Sequence, residues 1–372
     1  MPITSATQSI EAVGSLTQVT GRSLSGFTLA LALSCTLLAC GGGDTSSNVS
    51  DSTLSRDSSL PLPGSNQTNK VLMKPVLSFS DTGLSVTDGI TSIGTWQVST
   101  LEGWEYSFDM GKNWIRGQGD YFDVQGDGAK TIWVRARDDM GNTSEIVVVS
   151  CVLDTLPPET VRLEVVSKDL TRLVRIAGLE QEATWQYSFD DQRSWLQGKG
   201  QMLAVMGNLL PTLWVRQVDL AGNHSLVERV NLIDQESLAW HEASGMASQP
   251  SQLSTQGIRT ALLHGSVVRG DLDYIKWDIP LGHRLESIRL IHYASADPIA
   301  FYALQKSTVF DAGQDVTRML KYGHIGPQDL QRNLIQDVQS GQLTAGPMTL
   351  WFQQTGTSTT EYVIELVFQP VE

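Results

Sequence analysis

Apolar and polar residues alternate with a period of two through much of the chain beyond residue 73, the pattern of strands that bury one face. In Trp104-Glu105-Tyr106-Ser107-Phe108 three aromatic rings fall on one side and two polar groups on the other. Residues 109–112 (Asp-Met-Gly-Lys) then read as a turn, and Trp114 opens the next strand. Ile132 and Val134 alternate with Trp133 and Arg135. One of these sets must be core, and the long arginine can carry its charge outward from the other. A Gly-Asn turn is expected over 138–142 and a last strand over 146–152, which ends in Cys151-Val152. Leu156-Pro157-Pro158 breaks the pattern and marks a boundary between units.

The same pattern returns 81 residues later. Trp104-Glu105-Tyr106-Ser107-Phe108-Asp109 recurs as Trp185-Gln186-Tyr187-Ser188-Phe189-Asp190, Trp114 as Trp195, and Gly117 and Gly119 as Gly198 and Gly200. Trp133-Val134-Arg135 recurs as Trp214-Val215-Arg216, Asp138 as Asp219, Gly141-Asn142 as Gly222-Asn223 and Ser144 as Ser225. So many ungapped matches at one offset define an internal repeat, and a repeat determines the architecture. The matched residues resemble the bacterial Ig-like repeats of large surface adhesins and RTX-type proteins, over roughly residues 73–235. That resemblance implies two tandem Ig-like β-sandwiches, which act mostly as spacers and sometimes as adhesion surfaces. Some relatives bind calcium at unit junctions, which makes Asp138 and Asp154 candidate ligands. Calcium takes six to eight oxygens, so hairpin-turn aspartates remain the plainer alternative.

Beyond residue 235 the repeat stops, and five of the six histidines follow. Strands are expected over 274–279, 285–293, 299–305, 349–354 and 362–368. A helix is expected from Pro327 to Gly341, with Leu330, Leu334, Ile335 and Val338 on one face, and a shorter one around Val316, Met319 and Leu320. Mainly antiparallel strands with a helical insertion predict a jelly-roll-type β-sandwich. Gly270-Asp271-Leu272-Asp273-Tyr274, then Pro280-Leu281-Gly282 and Ser295-Ala296-Asp297, are similar to the bacterial pre-peptidase C-terminal type of sandwich. Relatives of that type serve as export accessories or carbohydrate-binding modules. Asp271, Asp273, Tyr322 and His324 are the candidate ligand-binding residues here, the aspartates through a bound cation and the other two on a glycine-rich loop. His241-Glu242 begins like a zinc-protease motif, but Gly245 stands where the second histidine is required. No nucleophile elbow or phosphate-cradling loop is present in the sequence.

The first 39 residues carry two charged side chains, Glu11 and Arg22, and an apolar run leading to Leu37-Leu38-Ala39-Cys40. This is the layout of an export signal. The last four residues resemble the bacterial lipobox, in which the cysteine receives a diacylglycerol, the leader is cut before it and the new amine is acylated. A Ser-, Thr-, Asp- and Gly-rich stretch follows, too poor in apolar groups to fold and suited to a tether. The expected organisation is therefore a lipoprotein signal peptide (1–39), a lipidated cysteine and flexible linker (40–72), Ig-like units (73–154 and 155–235) and a terminal β-sandwich (236–372). Gly41 after the cysteine points to the outer membrane, facing the periplasm or the cell surface. If Cys40 is acylated, Cys151 is the only thiol left, so no internal disulfide can form. The net charge of −14 excludes nucleic acid as a partner. The expected partners are the membrane, through the lipid, and a glycan or an envelope or surface protein. The function this predicts is a non-enzymatic surface protein whose Ig-like spacers present a binding domain. An envelope hydrolase with its site in the terminal domain, or a structural subunit of an envelope complex, are the alternatives.

Overall fold

The computed structural model describes residues 71–168, 171–207, 212–232 and 242–371. The leader, Cys40, nearly all of the tether and His241 lie outside the described residues. The protein is all-β. The first repeat contains β1 (Val76–Phe79), β2 (Ile90–Thr91), β3 (Thr95–Ser99), β4 (Trp104–Ser107), β5 (Ile115–Arg116), β6 (Tyr121–Asp123), β7 (Gly128–Ala136) and β8 (Val147–Leu153). They form two facing sheets, β1-β3-β6 and β2-β8-β7-β4-β5. The second repeat contains β9 (Arg162–Lys168), β10 (Thr171–Ala177), β11 (Thr184–Ser188), β12 (Leu196–Gly198), β13 (Met202–Met206), β14 (Thr212–Val218) and β15 (Glu228–Asn231). Its sheets, β9-β10-β13 and β12-β11-β14-β15, match those of the first except that β2 has no counterpart.

The repeated residues occupy repeated environments. Trp104 and Trp185 are buried, and each donates its indole N–H to a backbone carbonyl, of Gly119 at 2.9 Å and Gly200 at 2.6 Å. Gly117 and Gly198 lie flat on these rings, where an added Cβ would come within 2.2 and 2.3 Å of ring carbons. No other residue fits there without displacing the indole. Ile132 and Val134 are the core set, as are Leu213 and Val215. The other set faces outward, with Arg135 and Arg216 stacked over Trp114 and Trp195 at 3.9 and 4.0 Å. Cys151 is buried in the first core, and burial raises its thiol pKa, so it is a structural thiol.

The terminal unit contains β16 (Ser251–Gln252), β17 (Thr260–Val267), β18 (Leu272–Ala294), β19 (Ala300–Gln305), β20 (Lys321–Ile325), β21 (Thr344–Gln353) and β22 (Thr360–Pro370). β18 turns a corner near Pro280-Leu281-Gly282. Its first half pairs with β21 and its second half with β22. The sheet thus doubles back on itself, and Phe352 on β21 stacks on Tyr362 on β22 with ring centroids 3.9 Å apart. The second repeat joins this sheet directly, because β13 runs parallel to and bonds with β17. The resulting ten-stranded sheet continues from β20 through β18 to β9. Ala204 and Met206 enter the core of the terminal unit, while Leu262, Ile291 and Val363 enter the core of the second repeat. The second repeat and the terminal unit are therefore three β layers with a shared middle layer.

The expected helix between Pro327 and Gly341 does not form. Single 3₁₀ turns stand at Pro327–Asp329 and Ser340–Leu343, and another at Val316–Arg318 replaces the shorter helix. The cause lies in the backbone bonds. The amides of Gln331 and Leu334 donate to the Leu290 and Ile288 carbonyls of β18, at 2.9 and 2.8 Å, instead of to carbonyls four residues back. Gln331 adopts φ +68°, which ends any right-handed helix. Leu334 and Ile335 are buried as expected, as plugs in the terminal core rather than as one face of a helix.

Candidate functional site

The outer face of the doubled-back sheet carries two rows of side chains across four strands. Tyr322 on β20 pairs with Ala303 on β19, which pairs with Trp351 on β21, which pairs with Tyr274 on β18. One step along, His324 pairs with Phe301, Phe301 with Gln353, and Gln353 with Leu272. With a side-chain period of two, all of these point to one side. Trp351 touches Phe301 edge-on at 5.0 Å, Phe310 edge-on at 5.4 Å and Tyr274 in a stacked pair at 6.0 Å. Phe310 covers the half that lies over Tyr274 and Trp351, and these three rings are buried. The other half stays open. Tyr322 is 47% exposed, His324 is exposed and Phe301 is half-buried, with the His324 imidazole edge-on to Phe301 at 5.7 Å.

Tyr322 and His324 thus share a face, on an edge strand rather than on the expected loop. Gly323 between them turns to the opposite side, where an added Cβ would lie 3.3 Å from the Tyr302 ring. Lys321, at the start of the strand, is paired with Asp337 at 2.5 Å. Phe301, Trp351 and Tyr274 join these two residues only through strand pairing, and Phe310 packs onto Tyr274 and Trp351 from the segment after β19.

The aspartates lie elsewhere. Asp273 is 1% exposed on the core side of β18, where the Tyr362 hydroxyl donates to its Oδ2 at 2.6 Å. Its Oδ1 has no hydrogen-bond partner. Burial, reinforced by the charges of Asp271 and Glu242 and opposed by the Tyr362 bond, pushes its pKa up to about 7. Asp271 is half-buried at the head of β18, beside Glu242, whose pKa burial and Asp271 together raise. The four candidates therefore divide between two sides of one sheet.

Asp138 serves its own turn: Oδ1 accepts the amides of Met140 and Asn142, and Oδ2 accepts the Asn142 side chain at 2.9 Å. Asp219 repeats the bonds to its own asparagine, Asn223. Asp154 accepts the Leu156 amide through Oδ1, and its carbonyl accepts the Asn223 side chain. Among the described residues no group of three or more His, Cys, Asp or Glu side chains is arranged to hold a metal ion.

No protein-family model matches the chain, and no curated protein matches it. Among solved structures it aligns with one described for the promiscuous specificity of carbohydrate-binding modules of the β-sandwich superfamily. That alignment has 10% identity and a TM-score of 0.23, and covers 82% of this chain and 99% of that one. A second is the chicken interferon-γ receptor α chain, at 8% identity and TM-score 0.21, covering 43% and 98%. A third is a protein crystallised with a xylogluco-oligosaccharide, at 8% identity and TM-score 0.22, covering 77% and 78%. Likenesses at this level carry no argument about ligand or activity. The fold stands on the strand pairing described above.

Proposed function

We propose that this chain is a non-enzymatic recognition protein of the bacterial envelope, lipid-anchored at Cys40, that binds glycans through the Phe301–Tyr322–His324 face. The observation that carries this reading is the half-open aromatic face itself. Tyr322 and Phe301 offer flat apolar surface to the C–H faces of sugar rings, while the Tyr322 hydroxyl and the His324 imidazole are placed for sugar hydroxyls. The buried rings of Trp351, Tyr274 and Phe310 hold the platform rigid, so little ordering entropy opposes binding. The lipobox-like run and the polar tether support the anchoring part of the reading, and Gly41 supports the outer membrane.

A glycan array probed with the purified protein tests this. The wild type is expected to retain a defined set of glycans. Tyr322→Ala, a substitution at a half-exposed site that leaves the fold intact, is expected to weaken them about tenfold. A wild type that retains no glycan but captures a defined envelope protein through Tyr322 would overturn the glycan reading.

A further inference from the structure

A second cleft, remote from the aromatic face in the strand order, lies where the three units meet. Its volume is about 750 Å³, within the range of small-ligand sites. Leu84 of the first repeat, the turn between β10 and β11, the segment between β12 and β13, and Arg259 ahead of β17 line it. The internal repeat shows what is special here. Residues 178–184 separate Ala177 from Trp185 in the second repeat, whereas only 100–103 separate Ser99 from Trp104 in the first, although the flanking strands pair in the same register. The longer turn carries Glu180, Gln181 and Glu182 into the cleft wall, and Glu182 is held at φ +63°. A non-glycine residue in that region persists only where the surroundings hold it there.

Basic residues also line the cleft. The stem of Arg259 lies on Gly200, 3.2 Å from where a Cβ would be, and its Nε reaches the Phe368 carbonyl at 3.5 Å. Lys199 is already neutralised by Glu286 at 2.6 Å, and one oxygen of Glu180 accepts the Glu159 amide. Neither glutamate nor Arg259 has an oppositely charged side chain of the described residues within 4.0 Å, and Glu182 is the glutamate whose carboxylate takes no hydrogen bond from a described residue. A simple anion would meet the two glutamates, and a simple cation would meet Arg259. A ligand with both charges satisfies both. We propose that this cleft binds a short zwitterionic peptide, its carboxylate on Arg259 and its ammonium on Glu182.

Isothermal titration of the purified protein with trialanine, N-acetyl-trialanine and trialanine amide tests this. Trialanine is expected to saturate the protein and to bind about tenfold more tightly than either capped form, the scale of one charge-assisted contact. Arg259→Gln should erase the preference over the amide while keeping that over the acetylated peptide, and Glu182→Gln should do the reverse. Arg259→Lys, which keeps the charge and most of the stem, should retain the preference over the amide and guards against a folding effect. Equal binding of the three peptides, or no saturable binding of trialanine, would overturn the proposal. Either result leaves the glycan reading untouched, because the aromatic face shares no residue with this cleft.

Discussion

Asp273 gives the terminal unit one strong response to pH. Its folded-state pKa of about 7 lies far above the 3.8 of an aspartate in an unfolded chain. Between about pH 4 and pH 7 the folded protein therefore binds a proton that the unfolded chain has released. Through Asp273, raising the pH across that window withdraws stability, and below it both states are protonated and nothing is withdrawn. Asp273→Asn keeps the shape and the acceptor for Tyr362 but cannot ionise. In urea melts the variant should match the wild type near pH 4 and gain on it toward pH 8, by up to about 4 kcal/mol. A wild-type advantage that grows with pH would contradict this. The residue type was visible in the sequence and its environment was not. Asp271 lies just ahead of β18 and Asp273 within it, but only the folding-back of β22 onto β18 puts the Tyr362 hydroxyl on Asp273. Tyr322 and His324 were legible as a pair by their nearness in the sequence, though on an expected loop, and their partners Phe301 and Trp351 needed the strand order.

At the scale of elements, the repeat was legible because its matched residues make matched contacts, down to the glycines under each tryptophan. The fusion of the second repeat to the terminal unit also left a trace. Tyr121-Phe122-Asp123-Val124-Gln125 alternates, and its polar side chains face solvent, whereas Met202-Leu203-Ala204-Val205-Met206 is apolar throughout. A strand without alternation is buried on both faces. The expected helix fails because the amides of Gln331 and Leu334 pair with β18, which a 3.6-residue apolar spacing does not encode. Calorimetry should resolve two unfolding transitions, one for the first repeat and a larger one for the second repeat with the terminal unit. Ala204→Asp puts at that position the residue that the first repeat carries in the same register, Asp123. It should lower the larger transition as a whole, by roughly 3 kcal/mol or more, and spare the smaller one. Independent melting of the second repeat and the terminal unit would contradict the shared layer.

The described residues form one Ig-like unit with its own core and a three-layer β body with an aromatic face at its last edge strand. Thr82 and Leu84 of the first repeat bond to the Ala221 and Leu220 carbonyls of the second, so the two repeats meet through a small polar contact rather than a shared core. Anchoring is tested on the mature N-terminus. Mass spectrometry should find an acylated Cys40, and Cys40→Ala should release the protein or leave its precursor; an unmodified wild-type product starting elsewhere would contradict it. The most direct test of the central claim is a titration of the purified protein with its highest-ranked array glycan, following the Tyr322 and His324 resonances by NMR. Saturable shifts centred on Phe301, Tyr322 and His324 are expected, lost in Tyr322→Ala. Shifts confined to other surfaces, or unchanged affinity in Tyr322→Ala, would contradict that claim.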